Sequence, residues 1–421
     1  MVNTQILSPG VTLRCFRDTR FKQGCLSFQI IRPMRAEENA MNALLPSVLL
    51  RGTSKHGDLR AITHRLDELY GASVSAVVRR VGDYQTTGLY CGFMDDRFAL
   101  PGDQVLAPML DFLAELLLDS PVEEGGFLSA FVESEKKNLI ATIESELNDK
   151  RAYAMGKLLR TMCREDTFGL PRLGDRDQVA AIDPRTLRTH YQTILRESPI
   201  EIFYVGSADA EQVSNLLMPL LGRLDRNYVN LNPQTGFHSC ESSDLTETME
   251  VSQGKLCMGF TSPITNRTDN FPAMQILNTV FGAGMTSKLF MNIREKMSLA
   301  YSIGSSYYGT KGIVTVSAGI DFDKEELTRQ EVLRQLEACK AGDISEGELT
   351  AARQAILSSL RATHDSPGAI EGYYATAALS GMKMTPAEYM AAIEAVTLDE
   401  VVAAANSLQL HTTYFLKGGC Q

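Results

Sequence analysis

No Cys-x-x-Cys pair occurs among the eight cysteines, Cys15, Cys25, Cys91, Cys163, Cys240, Cys257, Cys339 and Cys420. Their scatter argues against a disulfide framework or a cysteine zinc site and favours reduced thiols in a cytoplasm. No apolar run is long enough to cross a bilayer, so no membrane span is expected. The opening stretch, MVNTQILSPGVTLRCFRDTRFKQG, lacks a basic start, a long apolar segment and a small-residue cleavage site, so nothing in it marks the chain for export. Basic residues are outnumbered, 41 Lys and Arg against 51 Asp and Glu, for a formal net charge of -10. An acidic surface gains no counterion release from nucleic acid or an anionic membrane, so neither is an expected partner.

What is present is a globular composition, 44% hydrophobic and 22% charged over 421 residues. That length suits two domains of about 200 residues each. Residues 225–250, DRNYVNLNPQTGFHSCESSDLTETME, lack helical or alternating periodicity and are rich in Asn, Ser, Thr and Gly. They read as a linker between an N-terminal half, 1–224, and a C-terminal half, 251–421.

Each half shows the same order of elements. In the first, an apolar helix over Ala40 to Leu50 meets Arg51-Gly52-Thr53. An amphipathic helix, LRAITHRLDELYGA, follows, then the strand SVSAVV, a turn at Gly82-Asp83 and the strand YQTTGLYCGF. In the second, FPAMQILNTVFG meets Ala283-Gly284-Met285, and the helix TSKLFMNIREKM, LAYSIGSSYY, a turn and IVTVSAGID follow. Helix, glycine, helix and hairpin therefore occur twice, which points to duplication. Long helices are expected over Val105 to Leu118 and Phe127 to Leu147, and over Lys324 to Ala341, Ser345 to His364 and Pro386 to Gln409. Hairpins with segregated helices, and no strict βαβ alternation, give an α+β class: in each half an antiparallel or mixed sheet covered on one face by helices.

These segments resemble the pitrilysin/insulinase-type zinc peptidases in their short, mitochondrial processing peptidase-like form. The resemblance rests on the Arg51-Gly52-Thr53 ending, on RLDELYGASVSA, on the duplicated halves and on IREKMSLAYSIGSS. It implies a metallopeptidase-like fold of the LuxS/processing-peptidase type, in which half-units close into a clam-like chamber around an unfolded peptide. In active members, a His-x-x-Glu-His helix binds zinc and its Glu takes a proton from the metal-bound water. Counting back from Gly52-Thr53, those positions hold Ala43, Pro46 and Ser47, and the remaining Glu ligand, in a pattern that begins at Glu135, falls on Thr142, with Glu144 and Glu146 close enough to shift that register by a turn. Ala43, Pro46, Ser47 and Thr142 supply no ligand or base, and Pro46 is expected to start or kink its helix. His56, His64 and Asp67 fit no common ligand spacing and read as solvent-facing side chains. The chain is expected to hold no metal, with zinc in a partner subunit.

The resemblance also implies that Arg294 and Tyr301 match the pair that donates hydrogen bonds to the oxyanion of the substrate carbonyl. By themselves these residues read as part of a charged face with Glu295 and Lys296, and as an ordinary strand residue. Ser298 stands where the family usually has Gly, which bears on the turn between them. Ala72, Ser73, Val74, Ser75 and Ala76, in a segment running to Val78, match the sheet edge on which extended substrates pair by backbone hydrogen bonds, and they fit a plain buried strand equally. Two functions stay open. One is a non-zinc subunit of a heteromeric zinc peptidase, inactive alone, with a homologous zinc-bearing partner and a peptide substrate. The other is an inert binding or assembly subunit of the same fold. A homodimer and a heterodimer are both compatible with the sequence, and retention of Arg294 and Tyr301 favours the peptidase subunit.

Overall fold

The computed structural model describes residues 2–231, 237–238 and 240–419. The chain divides into two compact units. One gathers Met1–Glu144, Pro171–Gln234 and His364–Thr376, and the other gathers Ser145–Leu170, Thr235–Thr363 and Ala377–Gln421. Each unit thus takes a short segment from the other half of the sequence.

In chain order the strands are β1 (Asn3–Ser8), β2 (Val11–Arg17), β3 (Gln23–Pro33), β4 (Ser73–Val81), β5 (Tyr84–Met94), a small hairpin of β6 (Val122–Glu123) and β7 (Gly126–Phe127), β8 (Ile200–Gly206), β9 (Ser243–Met249), β10 (Gly254–Thr261), β11 (Ala300–Tyr308), β12 (Ile313–Ile320) and β13 (Gln409–Gly418). The first unit holds a six-stranded sheet ordered β1-β2-β8-β3-β5-β4, and the second a five-stranded sheet ordered β11-β12-β10-β13-β9. Read from the other end, β4-β5-β3-β8-β2 repeats as β11-β12-β10-β13-β9. In both sheets one pair is parallel, β2 with β8 and β9 with β13, and the rest are antiparallel. The duplication is therefore one of topology and pairing sense, and the class is α+β.

Helices α1 (Asn39–Leu49), α2 (Leu59–Glu68), α3 (Leu106–Leu118), α4 (Ser129–Ser145), α5 (Lys150–Met162), α6 (Arg176–Ala181), α7 (Pro184–Glu197) and α8 (Ala210–Leu221) come from the first half of the sequence. The second half supplies α9 (Phe271–Asn278), α10 (Glu325–Lys340), α11 (Glu346–Ala362), α12 (Pro367–Ser380), α13 (Pro386–Ala395) and α14 (Leu398–Asn406). The core of the first unit forms where Leu44, Leu45, Val48, Leu110, Leu113 and Leu217 meet strand residues Leu13, Phe28, Leu89 and Ile202. Three expectations are corrected. The helix expected over Pro386 to Gln409 is two helices, because Thr397 caps α14 in a reciprocal box with Glu400 and Gln409 already starts β13. Residues 243–249, expected within the linker, form β9, whose polar side chains at a sheet edge give no apolar alternation. TSKLFMNIREKM folds over Leu289–Lys296 as a π-helix rather than an α-helix, and a second π-helical turn, Thr279–Ala283, follows α9. Linker residues 232–236 and 239 lie outside the described residues, as does Cys420.

The borrowed segments are held by apolar packing and, in each unit, by a charge pair built on a buried carboxylate. In the second, Ala154 and Leu158 of α5 pack on Cys257, Tyr414 and Leu416. Downstream, Asp166 and Lys311 pair at 2.9 Å with side chains fully buried. Asp166 also accepts from the backbone N–H groups of Phe168 and His238. In the first unit, Ile370 of α12 packs on Cys25 and Val205. Beside it the buried Glu371 carboxylate accepts from both terminal nitrogens of Arg79, from Ser27 and from Gln29, at 2.7 to 2.9 Å. In the fully buried pair, removing Asp166 or Lys311 strands the other charge and costs about 3–5 kcal/mol. Burial pushes the thiols of Cys15 and Cys25 up, to about 11 and about 12, so both are protonated core residues. Among the described residues no helix is long and apolar enough to cross a membrane.

Candidate functional site

Helix α1 does not start at Pro46; it begins at Asn39 and runs through the proline to Leu49. Proline lacks the N–H that would serve the carbonyl four residues earlier, which belongs to Asn42. That carbonyl instead accepts from the Thr87 hydroxyl on β5, at 2.6 Å. A second contact set fixes the same residue. Gln85 donates its amide to the carbonyls of Asn39 and Arg172, so its oxygen accepts from the Asn42 amide at 2.9 Å. The Asn42 oxygen then accepts from His190 Nε2 at 2.7 Å, which makes His190 the Nε2–H tautomer. Burial lowers its pKa from 6.5 to about 4, with Glu38 opposing and Arg32 adding to the effect.

The rest of the frame is tied down in the same unit. Arg51 pairs with Glu135 on α4 at 3.3 Å, and the Glu115 carboxylate holds both the Thr53 hydroxyl and His56. Ala43, Pro46, Ser47 and Thr142 offer nothing to a metal. Ala43 and Pro46 are buried in α1, Ser47 is half-buried, and Thr142 is exposed with its hydroxyl on the Asn138 carbonyl at 2.9 Å. No two of them offer the nitrogen, sulfur or carboxylate donors zinc requires, so the residues present do not fit the family's metal. His56 is not solvent-facing but is half-buried against Glu115 and Phe112, whereas His64 is exposed beside Glu68. Among the described residues no three His, Cys, Asp or Glu gather closely enough to hold a metal ion.

Strand β4 is an edge strand of its sheet, paired only with β5. Ser73, Ser75 and Ala76 are exposed, Val74 is half-buried against the core, and Ala72 just before the strand is buried. The segment is thus an open edge and not a strand buried on both sides.

In the second unit, Tyr301 lies near the start of the edge strand β11 and is 61% exposed. Its hydroxyl donates to Asp321 at 2.9 Å, and this carboxylate, also paired with Lys324, holds the phenol above its usual range. Tyr301 and Asp321 line a polar recess of about 650 Å³ with Asp149, Arg151 and Lys255. Arg294 projects from the π-helix, with its guanidinium over the Phe290 ring at 4.7 Å and near Glu295 at 3.8 Å. The two residues share no hydrogen-bond acceptor among the described residues. Ser298, between them, adopts φ +51°, a left-handed conformation that glycine enters without steric cost. Sequence reasoning missed Thr87, Gln85, His190 and Asp321, whose roles depend on partners far away in the chain. Only Pro46 inside an apolar run signalled that some donor had to replace its missing N–H.

Comparison with known proteins bears on this frame. The family model described as the peptidase M16 inactive domain matches residues 181–356. The Bacillus subtilis protein named probable inactive metalloprotease YmfF is 30% identical over 97% of this chain and 96% of its own length. The chain belongs to the M16 peptidase family. A conserved protein from Enterococcus faecalis superposes with a TM-score of 0.93 at 26% identity, over 100% of this chain and 99% of that one. An M16 inactive domain from Pseudomonas fluorescens, at 16% identity and TM-score 0.81 over 100% of this chain and 98% of that one, shares the fold. This M16 chain therefore has the family's fold, and its α1 carries no His, Cys, Asp or Glu.

Proposed function

We propose that this M16 chain is a non-zinc subunit of a heteromeric zinc metallopeptidase, inactive by itself, that acts on peptides in the cytoplasm. A homologous partner carries the His-x-x-Glu-His helix and the zinc. This chain supplies a wall of the chamber and the donors Arg294 and Tyr301 for the substrate oxyanion, while β4 receives extended substrate by backbone pairing. The observation that carries the reading is the coexistence of a ligand-free but firmly held α1 with an exposed tyrosine donor at a polar recess. The relationship to a protein named as an inactive metalloprotease supports it. In the test, the chain is co-expressed with a homologous chain bearing the intact motif, and the mixture is resolved by size exclusion with zinc analysis. Co-elution with zinc contributed by the partner, and peptidase activity only in the pair, is expected. Separate elution, or stoichiometric zinc on this chain alone, overturns the reading.

A second reading, an inert peptide-binding or assembly subunit, is favoured by one observation. The Tyr301 hydroxyl is engaged by Asp321 while Arg294 lies over Phe290, so the pair does not converge in this chain alone.

A further inference from the structure

The open edge of β4 is closed at both ends by this chain's own groups. In an antiparallel ladder the N–H and C=O of one residue point to the same side, and successive residues alternate. The Val78 carbonyl accepts from Arg172 Nη1 at 2.6 Å, so Val78 faces away from β5, as do Val74 and Ala76. At the other end the Ala72 N–H is taken by the Leu66 carbonyl at 3.1 Å. The free stretch therefore runs from the Ala72 carbonyl to the Val78 amide and is centred on Val74 and Ala76. It suits an extended segment of about five residues.

Arg172 is placed there by α1 and β5 together. Asn39 donates to the Pro171 carbonyl at 2.9 Å and Gln85 donates to the Arg172 carbonyl at 2.7 Å, so the loop is pinned on both sides of the peptide bond. The Arg172 side chain is exposed, has no carboxylate partner among the described residues, and spends only one of its five N–H donors on Val78. An unpaired guanidinium at the end of a peptide track suits a carboxylate, which it can hold with two parallel hydrogen bonds.

The geometry points to Arg172 as a specificity determinant that ends the β4 peptide track at Val78 and selects peptides presenting a carboxylate there. This rests on the strand-addition part of the proposed function. The carboxylate is the peptide's C-terminus if the added strand runs parallel to β4, and an acidic side chain near the peptide's start if it runs antiparallel. Helix α1 then has a function of its own, because Asn39 bonds the loop that carries Arg172 and Asn42 orients Gln85, which bonds it too.

Three fluorescein-labelled hexapeptides of alternating Thr and Val test this by anisotropy on the full chain: a free acid, its C-terminal amide, and an amide with Glu near its start. One of the two carboxylate peptides is expected to bind about tenfold tighter than the plain amide. Arg172→Gln should abolish that preference and Arg172→Lys should keep part of it. Ala76→Pro, tolerated at an edge whose outward N–H is unpaired, should remove binding of all three. Equal binding of the peptides to the wild-type chain, or a preference that survives Arg172→Gln, overturns the role of Arg172 while leaving strand addition standing. Binding that survives Ala76→Pro, or no binding of any peptide, overturns strand addition at β4 itself.

Discussion

The hydroxyl of Thr87 donates to the carbonyl of Asn42 at 2.6 Å and so replaces the helical N–H that Pro46 lacks. The cost of a proline inside α1 is thus offset across the α1–β5 contact. Thr87→Val should leave a buried carbonyl without a donor and destabilise the first unit by about 1–3 kcal/mol. In a Pro46→Ala background the same change should cost less, because the alanine introduced there brings a backbone N–H that can donate to the Asn42 carbonyl. Urea unfolding midpoints of the four proteins check this, and an equal cost in both backgrounds contradicts it.

His190 makes a pH prediction. Its folded pKa, about 4, lies below the ordinary 6.5, because burial disfavours the imidazolium. Above pH 6.5 neither state is protonated and the stability is fully present. As pH falls from 6.5 towards 4 the unfolded chain takes up a proton that the folded chain does not, so stability is lost, by about 3 kcal/mol in all. His190→Gln, which can still donate to Asn42, should flatten the stability profile across that window. A profile as steep as the wild type's would locate the titration elsewhere.

Ser298 gives a third. A serine at φ +51° bears the steric cost of the left-handed region, and glycine does not. Ser298→Gly should raise stability by about 1 kcal/mol, read from thermal or urea unfolding. A loss of stability would mean that the Ser298 side chain makes a contribution larger than the backbone cost.

Much of the fold was legible from local pattern, and the failures have physical causes. The paired order of helices and hairpins appeared because each element buries an apolar stripe, and α1 was placed within one residue at each end. β9 stayed hidden because its partner β13 comes at the end of the chain and its own side chains are mostly exposed. The split between α13 and α14 was written in Thr397 and Glu400, a capping box overlooked inside a long helical pattern. The π-helix around Arg294 was not accessible, since its apolar spacing differs little from the α period over eight residues. At the candidate site the lack of zinc donor atoms in Ala43, Pro46, Ser47 and Thr142 was visible residue by residue. The polar contacts around α1, made by Thr87, Gln85, His190 and the Arg172 loop, are visible only once β5, α7 and the loop before α6 are brought to α1.

The central claim, that this chain completes a partner's active site with Arg294 and Tyr301, is tested most directly by the turnover of the reconstituted pair. Tyr301→Phe removes the hydroxyl and keeps the ring, and Arg294→Lys keeps the charge and loses the planar fork. Each should lower kcat on an unstructured peptide by roughly 10²- to 10³-fold while size exclusion shows the pair still formed. Turnover unchanged by both substitutions, with the complex intact, would contradict the claim and leave this chain a binding subunit whose tyrosine serves Asp321 and whose arginine covers Phe290.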